Sequence, residues 1–383
     1  MNLKQLARHF FGKLQALRGK GNRNGRLNVV ANGISATEMA SLHERAAFFF
    51  PDVKSPNIVV HDTFSSGIFL DAAPILIWGV EPPQSLPAKL HGGVFDVDWR
   101  HNPNEGWNWI DAANWSHRHT PDITAAKQRF LLLRKRLTSL GLDRAYVFGT
   151  GPSLGRAGER DWSDGIRIVC NTIVRDPDLW RHISPHLIVA GDGIYHFGFT
   201  EFALAFRRDL RLRLEQNPEV PFMYPSQFDL VVRREMGHLP NQLIPIPIGT
   251  HTTFHARFDE RFELPALGNV LNLLLLPVGC NFARYVGLWG FDGRAPKDQL
   301  FWANSSKQSY SELLPTLQLA HPAFFDHNVP KEDPEKYLRS VHGDVLEHGL
   351  AQAESQGWTF EMLHTSWTPT LAKRAAPQVV AWG

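Results

Sequence analysis

The 383-residue sequence predicts an α/β protein with a Rossmann-like, mainly parallel sheet that carries helices on both faces, preceded by a smaller α/β segment. Short apolar runs end in a glycine or a polar residue, and helical stretches or Pro/Gly turns separate them. Such continuous apolar strands are typical of a parallel sheet covered on both sides. We expect a basic helix and linker at 1–26, a small α/β segment at 27–120 and a main domain at 121–383.

The first part of the chain is basic. Residues 1–26 hold seven lysines and arginines and no acid, and their leucines and phenylalanines recur at helical spacing. We favour a helix docked on its own domain, with peripheral contact to an anionic membrane through residues 1–20 as the alternative. No apolar signal core is present, so we expect a cytoplasmic protein, with attachment to the inner membrane face under that alternative.

The remaining chain carries 33 basic and 38 acidic residues. This balance argues against nucleic acid as a partner, because such proteins line a face of the folded body with basic side chains. Cys170 and Cys280 are the only cysteines and lie in or beside apolar segments. A long chain with so few cysteines does not depend on disulfides, which fits a reducing compartment.

Residues 27–100 contain four apolar runs, "LNVVANG", "NIVVHDTF", "PILIWGV" and "GVFDVD", and one helical stretch, "ATEMASLHERAAFFF". They predict a small α/β unit. The tryptophan-rich residues 101–120 predict a loop. Asp96 and Asp98 fall on one face of a strand, and an Asp-x-Asp pair can hold a divalent ion. We favour two solvated carboxylates at a strand end and predict no metal site.

The main domain begins with a predicted helix at 122–142 and continues with four strands. These close on Gly149, Asn171, Asp192 and Asp292. Ligands of parallel sheets bind beyond the carboxyl ends of the strands, so we expect these four residues around one cleft.

The stretch "FGTGPSL" suggests what binds there. Gly149 and Gly151 lack Cβ atoms that would hold a ligand away, Pro152 suits a first helical turn, and free N–H groups attract phosphate. The spacing fits neither the dinucleotide fingerprint, which needs an acid where Asn171 stands, nor the ATP-binding P-loop. A tight turn without a ligand is the alternative.

The ordered motifs "FGTGPSL", "VCN", "GD", "LGNV" and "GFD" with later histidines resemble the bacterial sialyltransferases of glycosyltransferase family 42 and the related MptE-like (DUF115) Rossmann-type proteins of polysaccharide biosynthesis. The resemblance covers about 143–370 and implies a CMP-activated sugar donor. The residues it assigns to nucleotide binding are Gly149, Thr150, Gly151, Pro152, Ser153, Asn171, Asp192, Gly268, Asn269, Gly290 and Asp292.

The family's general base is a histidine in a short stretch after the "GxD" strand, which here implies His327, with His321 as second choice. Imidazole titrates near neutral pH and can take a hydroxyl proton. Tyr195, His196 and Arg294 are predicted to bind substrate. The family's two tyrosines after the aspartate are missing here, and Arg294, Lys297 or the later Tyr310 would have to replace them on the leaving phosphate.

We therefore predict an inverting glycosyltransferase that moves an acidic sugar such as sialic acid or Kdo from its CMP-linked donor to a glycan or glycolipid hydroxyl. No cofactor or metal is expected beyond the donor substrate. One alternative is a nucleotide-dependent diphosphokinase like some MptE-like proteins, with Asp192 and Asp292 holding magnesium. Another is a non-catalytic nucleotide- or glycan-binding protein.

Overall fold

The computed structural model describes residues 25–51, 56–65, 67–71, 73–84, 92–253, 255–294, 307–328 and 343–377. The chain divides into two compact units. Of these described residues, the first unit takes those between 25 and 120 and those at 320–327, and the second takes those between 121 and 319, residue 328 and those at 343–377. The sequence prediction placed its boundary at 120 but assigned 320–327 to the main domain. The predicted basic helix at 1–20 lies outside the described residues.

The first unit contains a sheet of four parallel strands in the order β2-β1-β3-β4. Their bounds are Arg26–Ala31 (β1), Asn57–His61 (β2), Ile75–Trp78 (β3) and Val94–Asp96 (β4). From β1 the chain moves to one side for β2 and then to the other side for β3 and β4. The strand order therefore reverses between β1 and β3, where parallel sheets open a crevice at their carboxyl edge.

The first unit contains the helices α1 (Ala36–Phe49) and α2 (Glu105–His117). It also contains most of α9 (Pro322–Asn328), which comes much later in the chain. Ser35 and Glu38 form a capping box at the start of α1. The predicted loop at 101–120 is wrong, because α2 occupies most of it. Its asparagines and tryptophans are indifferent helix formers, but Trp109 and Ile110 are buried, and tertiary burial outweighs weak propensity.

The second unit contains seven parallel strands in the order β11-β10-β5-β6-β7-β8-β9. Their bounds are Arg144–Phe148 (β5), Ile166–Cys170 (β6), Leu187–Val189 (β7), Phe222–Pro225 (β8), Leu243–Ile246 (β9), Tyr285–Trp289 (β10) and Thr359–Met362 (β11). Here the strand order reverses between β5 and β10. The sequence did not predict β8 and β9. Pro245 stands in β9, which is tolerated because β9 is an edge strand.

Further α-helices of the described chain are Ile123–Thr138 (α3), Pro177–Ile183 (α4), Glu201–Gln216 (α5), Asp229–Met236 (α6), Leu276–Phe282 (α7), Leu314–Ala320 (α8), Val345–Ser355 (α10) and Pro369–Ala372 (α11). Residues 152–159 and 171–175 form 3₁₀ turns, and a π turn at 271–275 leads into α7. The predicted α/β class with parallel sheets and flanking helices is confirmed. None of the described helices has the length and apolar character needed to cross a membrane.

Candidate functional site

The loops that follow β5 and β10 meet where the strand order of the second sheet reverses. The backbone N–H of Gly149 donates to the carbonyl of Trp289 at 2.7 Å, and that of Gly151 donates to the carbonyl of Gly290 at 2.8 Å. The ladder between β5 and β10 thus continues past the strand ends. It brings together the two loops that the sequence assigned to the nucleotide.

The chain itself explains why this loop contains glycines. A Cβ at Gly149 would lie 2.6 Å from the carbonyl oxygen of Gly290, and one at Gly151 would lie 2.2 Å from the Asp292 carboxylate. Gly290 has a left-handed φ of +78°, and its own Cβ would lie 2.3 Å from the Gly149 oxygen. The glycines were predicted to make room for a ligand, whereas in the structure they make room for the loop at 290–292.

A carboxylate stands where a phosphate was expected. Asp292 accepts hydrogen bonds from the backbone N–H of Ser153 at 3.1 and 3.2 Å and from its hydroxyl at 2.5 Å. Ser153 belongs to the first turn of the 3₁₀ segment at 152–159, whose free N–H groups attract an anion. Asp292 therefore already satisfies this turn, and a phosphate placed there would face a negative charge.

The loop after β11 closes the same edge. Nε2 of His364 accepts the N–H of Gly290 at 2.8 Å, and its Nδ1 lies 2.6 Å from the carbonyl of Thr365, so Nδ1 carries the proton. The hydroxyl of Ser366 donates to the carbonyl of Phe291 at 2.7 Å. Burial lowers the pKa of His364, against the pull of Asp292. This histidine is therefore neutral and holds the turn at 290–292.

Two of the predicted nucleotide-binding residues have unusual backbones. Asn171 has a φ of +50° and Asn269 a φ of +56°, a region that L-residues rarely adopt. Oδ1 of Asn171 and Nδ2 of Asn269 are buried without a hydrogen-bond partner in the structure. Backbone strain combined with an unused polar atom is typical of a binding site.

The sheet places Asn171 at one edge beside Asp192. Cys170 of β6 is aligned with Val189 of β7, so Asn171 and Asp192 leave adjacent strands in the same direction. The segment after Asn269 reaches this edge too, because a Cβ on Gly191 would lie 3.0 Å from Cδ1 of Leu274. Oδ1 of Asp192 accepts two backbone N–H groups of its own turn, both at 2.7 Å. We call this region the β6–β7 edge.

The predicted substrate residues Tyr195 and His196 lie in the turn after Asp192. His196 is only 4% exposed, with its ring 4.4 Å from that of Phe206, and Arg207 donates to its carbonyl at 2.9 Å. Burial and the charge of Arg207 lower the pKa of His196 to about 3. Tyr195 packs edge-on against Phe202. His196 therefore has a packing role, and ligand contact would require the turn to open.

The other predicted residues of the second unit sit beside these loops. Thr150 and Arg294 are half-buried, whereas Pro152 and Gly268 are exposed. Arg294 lies two residues after Asp292 in the chain. Gly268 directly precedes Asn269. These positions do not test the predicted binding roles, which remain predictions.

The two predicted catalytic histidines belong to the first unit. His321 is 2% exposed, and its Nδ1 contacts the buried carboxylate of Glu105. Arg45 lies 4.0 Å from the same carboxylate and donates to the carbonyl of Ala320. His321 thus helps to attach the segment at 320–327 to α1 and α2, and its burial argues against the predicted role as a base. His327 lies at the exposed end of α9.

Asp98 differs from its predicted solvated state. It lies beyond the end of β4 and is 2% exposed, and its carboxylate accepts hydrogen bonds from Arg100 and His101. Asp96 is half-buried and accepts the N–H of Asp98. Across the described residues, no three His, Cys, Asp or Glu side chains are grouped so that they could hold a metal ion.

Comparison with known proteins adds no assignment: no family model, curated protein or solved structure matches the chain.

Proposed function

We propose that the protein is a glycosyltransferase that uses a nucleotide-activated acidic sugar, and that the nucleotide binds at the β6–β7 edge. The observation that carries this proposal is the pair of left-handed asparagines, Asn171 and Asn269, each with one buried amide atom that no protein group satisfies. A buried polar atom without a partner costs about 1–3 kcal/mol. A ligand that supplies the missing partner recovers that free energy.

Cytosine is chemically suited to these two atoms. Oδ1 of Asn171 is an acceptor and Nδ2 of Asn269 is a donor. Cytosine offers an exocyclic amino donor next to ring acceptors, and the ribose adds hydroxyl groups that act as either. This complementarity supports the CMP-linked donor that the sequence resemblance implies.

The phosphate needs a different position from the one first expected. Asp292 satisfies the turn at Ser153, so the β5–β10 loops repel a phosphate rather than cradle it. We assign base and ribose to the β6–β7 edge and give the leaving phosphate to Arg294, the cation that follows Asp292 in the chain. A guanidinium at that point would stabilise the negative charge that develops on the phosphate as the glycosidic bond breaks.

The diphosphokinase alternative has less support. It requires Asp192 and Asp292 to act as metal ligands, yet Asp292 is hydrogen-bonded to Ser153 through both oxygens and one oxygen of Asp192 caps its own turn. A metal would have to displace these N–H donors. The non-catalytic alternative uses the same nucleotide site and differs only in lacking transfer.

Thermal unfolding with CMP, UDP, GDP and ATP, each with and without magnesium, tests the proposal. A ligand at one hundred times its Kd stabilises the folded form by about 2.7 kcal/mol. We expect CMP to raise Tm more than the other nucleotides, without magnesium. The binding is then followed by assays with CMP-sialic acid and CMP-Kdo, where release of CMP that depends on an added glycoside separates a transferase from a binding protein. Stabilisation by ATP and magnesium alone would favour the diphosphokinase.

A further inference from the structure

A later residue, Gln308, joins the loops that follow β5 and β6. Its carbonyl accepts the hydroxyl of Thr172, the residue after Asn171, at 2.7 Å. Its side chain reaches the 3₁₀ turn after β5, because a Cβ on Gly155 would lie 3.3 Å from Nε2 and 3.7 Å from Oε1 of Gln308. All of these residues belong to the second unit. Gln308 therefore connects the carboxyl ends of two paired strands of one sheet.

The residues that follow Gln308 are held by contacts of their own. The guanidinium of Arg175 donates to the carbonyl of Ser309 and lies 4.6 Å over the ring of Tyr310. The hydroxyl of Tyr310 donates in turn to Asp209 of α5 at 2.7 Å. These contacts do not involve the Gln308 side chain. The position of this segment therefore does not depend on the Gln308 amide.

The side-chain amide of Gln308 is buried but unsatisfied. Gln308 is 8% exposed, yet its amide nitrogen and oxygen make no hydrogen bond within the described part of the chain. Buried amides normally have such partners. Oδ1 of Asn171 is also buried without a partner. Because Asn171 precedes Thr172, which contacts Gln308, two unsatisfied amides belong to neighbouring residues at the carboxyl edge of the sheet.

The order of the strands indicates which part of a nucleotide would meet Gln308. Four neighbouring strands run in the order β10-β5-β6-β7. The proposed function gives the phosphate to Arg294, after β10, and the base to the β6–β7 edge. The ribose links the base to the phosphate, so it would lie between them, at the ends of β5 and β6. Gln308 occupies that position, and the uncharged ribose is not repelled by Asp292.

The chemistry of an amide suits the ribose. Each ribose hydroxyl can donate and accept a hydrogen bond, and the Gln308 amide offers donors on Nε2 and an acceptor on Oε1. Dinucleotide-binding folds hold the ribose with an acid about 20 residues after the glycine loop. Asn171 stands at that place here and supplies one acceptor, Oδ1. Gln308 can supply the further hydrogen bonds that two hydroxyl groups require.

We propose that Gln308, together with Asn171, binds the ribose hydroxyls of the donor nucleotide and makes the site selective for ribonucleotides. This inference rests on the proposed nucleotide site and adds a specificity-determining residue to it.

The test is calorimetric titration of the full chain with CMP and with 2′,3′-dideoxy-CMP, which lacks both hydroxyls. We expect the wild type to bind CMP about tenfold or more tightly than the dideoxy analogue, because a site that hydrogen-bonds a hydroxyl rejects a ligand lacking it. Gln308→Met keeps the length of the side chain without the amide. It should bind CMP about tenfold more weakly and the dideoxy analogue within about twofold of the wild type.

Gln128→Met, which changes an exposed glutamine on α3, is the matched control and should keep the wild-type affinity for both ligands. Gln308→Met should keep the Tm of the free protein, because the amide has no partner in the described chain and the backbone carbonyl for Thr172 remains. The ratio of the two affinities within each protein is the deciding quantity. A general structural effect would change both affinities and leave that ratio unaltered.

The outcomes separate the two proposals. If the wild type does not bind CMP, the proposed nucleotide site fails and this inference fails with it. If the wild type binds CMP but does not distinguish it from the dideoxy analogue, only this inference is overturned. Equal weakening of both ligands in Gln308→Met, or no weakening of either, would overturn it as well and leave the nucleotide site in place.

Discussion

The carboxylate of Asp292 lies 2.5 Å from the hydroxyl of Ser153, although 139 residues separate them in the sequence. This contact joins the loop after β5 to the loop after β10 at the reversal point of the second sheet. The Asp292 carboxylate thus provides the negative charge that the N–H groups of such a turn attract. Under our proposal, the nucleotide therefore binds near Asn171 and Asn269 and not at the glycine loop.

The glycines of this loop should be needed for stability. Gly149→Ala places a methyl group 2.6 Å from the carbonyl oxygen of Gly290, and Gly151→Ala places one 2.2 Å from the Asp292 carboxylate. Overpacking of this kind costs about 1–3 kcal/mol. We expect each variant to lower the free energy of unfolding by about that amount, measured by urea denaturation without any nucleotide.

Gly158→Ala is the matched control, since a Cβ at Gly158 would meet no atom within 4 Å. Its free energy of unfolding should stay within about 0.5 kcal/mol of the wild type. If Gly149→Ala and Gly151→Ala behaved like this control and only lost nucleotide binding, the glycines would serve a ligand as the sequence first suggested.

The buried group of Arg45, Glu105 and His321 should stabilise the first unit strongly. Glu105→Gln removes the carboxylate that faces Arg45 and His321 and leaves a buried guanidinium with less compensation. Breaking a buried ion pair on one side costs about 3–5 kcal/mol. We expect a loss of stability of that order by urea denaturation, with the transition followed through tryptophan fluorescence.

Removing both charges provides the control for that variant. Arg45→Met combined with Glu105→Gln has no unpaired charge and should recover a large part of the loss. A double variant as unstable as Glu105→Gln alone would show that lost packing around Trp99, which Arg45 covers at 3.9 Å, matters more than charge.

His196 should make the protein less stable in acid. Its pKa in the folded state is lowered to about 3, whereas an unfolded histidine titrates near 6.5. Its contribution to stability is therefore complete above about pH 6.5 and decreases as the pH falls toward 3, by up to about 1.4 kcal/mol per unit. His196→Phe should show a shallower loss of stability between pH 6.5 and 4, with CMP absent.

The matched control is His43→Phe, because the His43 side chain is exposed. That variant should keep the acid dependence of the wild type. An equally steep acid dependence in His196→Phe would contradict the lowered pKa of His196 in the folded state.

The sequence predicted the strands and helices that a local pattern of residues determines. The strands that end at Gly149, Asn171 and Asp292 are buried apolar runs with a distinct final residue, and all are present. Helix α2 was not predicted because its residues have weak helix propensity. The burial of Trp109 in the folded unit is what makes this segment helical. Strand β9 was not predicted because Pro245 and Pro247 read as turn signals, while the edge position that tolerates Pro245 is a property of the sheet.

The candidate site was predictable only in part, for a similar reason. Asn171 and Asn269 were identified from their positions at a strand end and before a helix. The sequence could not show that Asp292 reaches Ser153, that Asp98 is buried under Arg100, or that His321 faces Glu105. Each of these depends on loops that only the folded sheet brings together, and each changes the role of an ionisable group.

The most direct test of the proposed nucleotide site is calorimetric titration of CMP into Asn171→Gly, Ser184→Gly and the wild type. Both variants relieve a left-handed backbone, with φ of +50° at Asn171 and +49° at Ser184, but only Asn171 presents a buried, unsatisfied amide oxygen. We expect Asn171→Gly to be at least as stable as the wild type and to bind CMP about tenfold or more weakly, from the loss of about 1.4 kcal/mol or more. Ser184→Gly should bind like the wild type. Equal CMP affinity in all three proteins would contradict a nucleotide site at the β6–β7 edge.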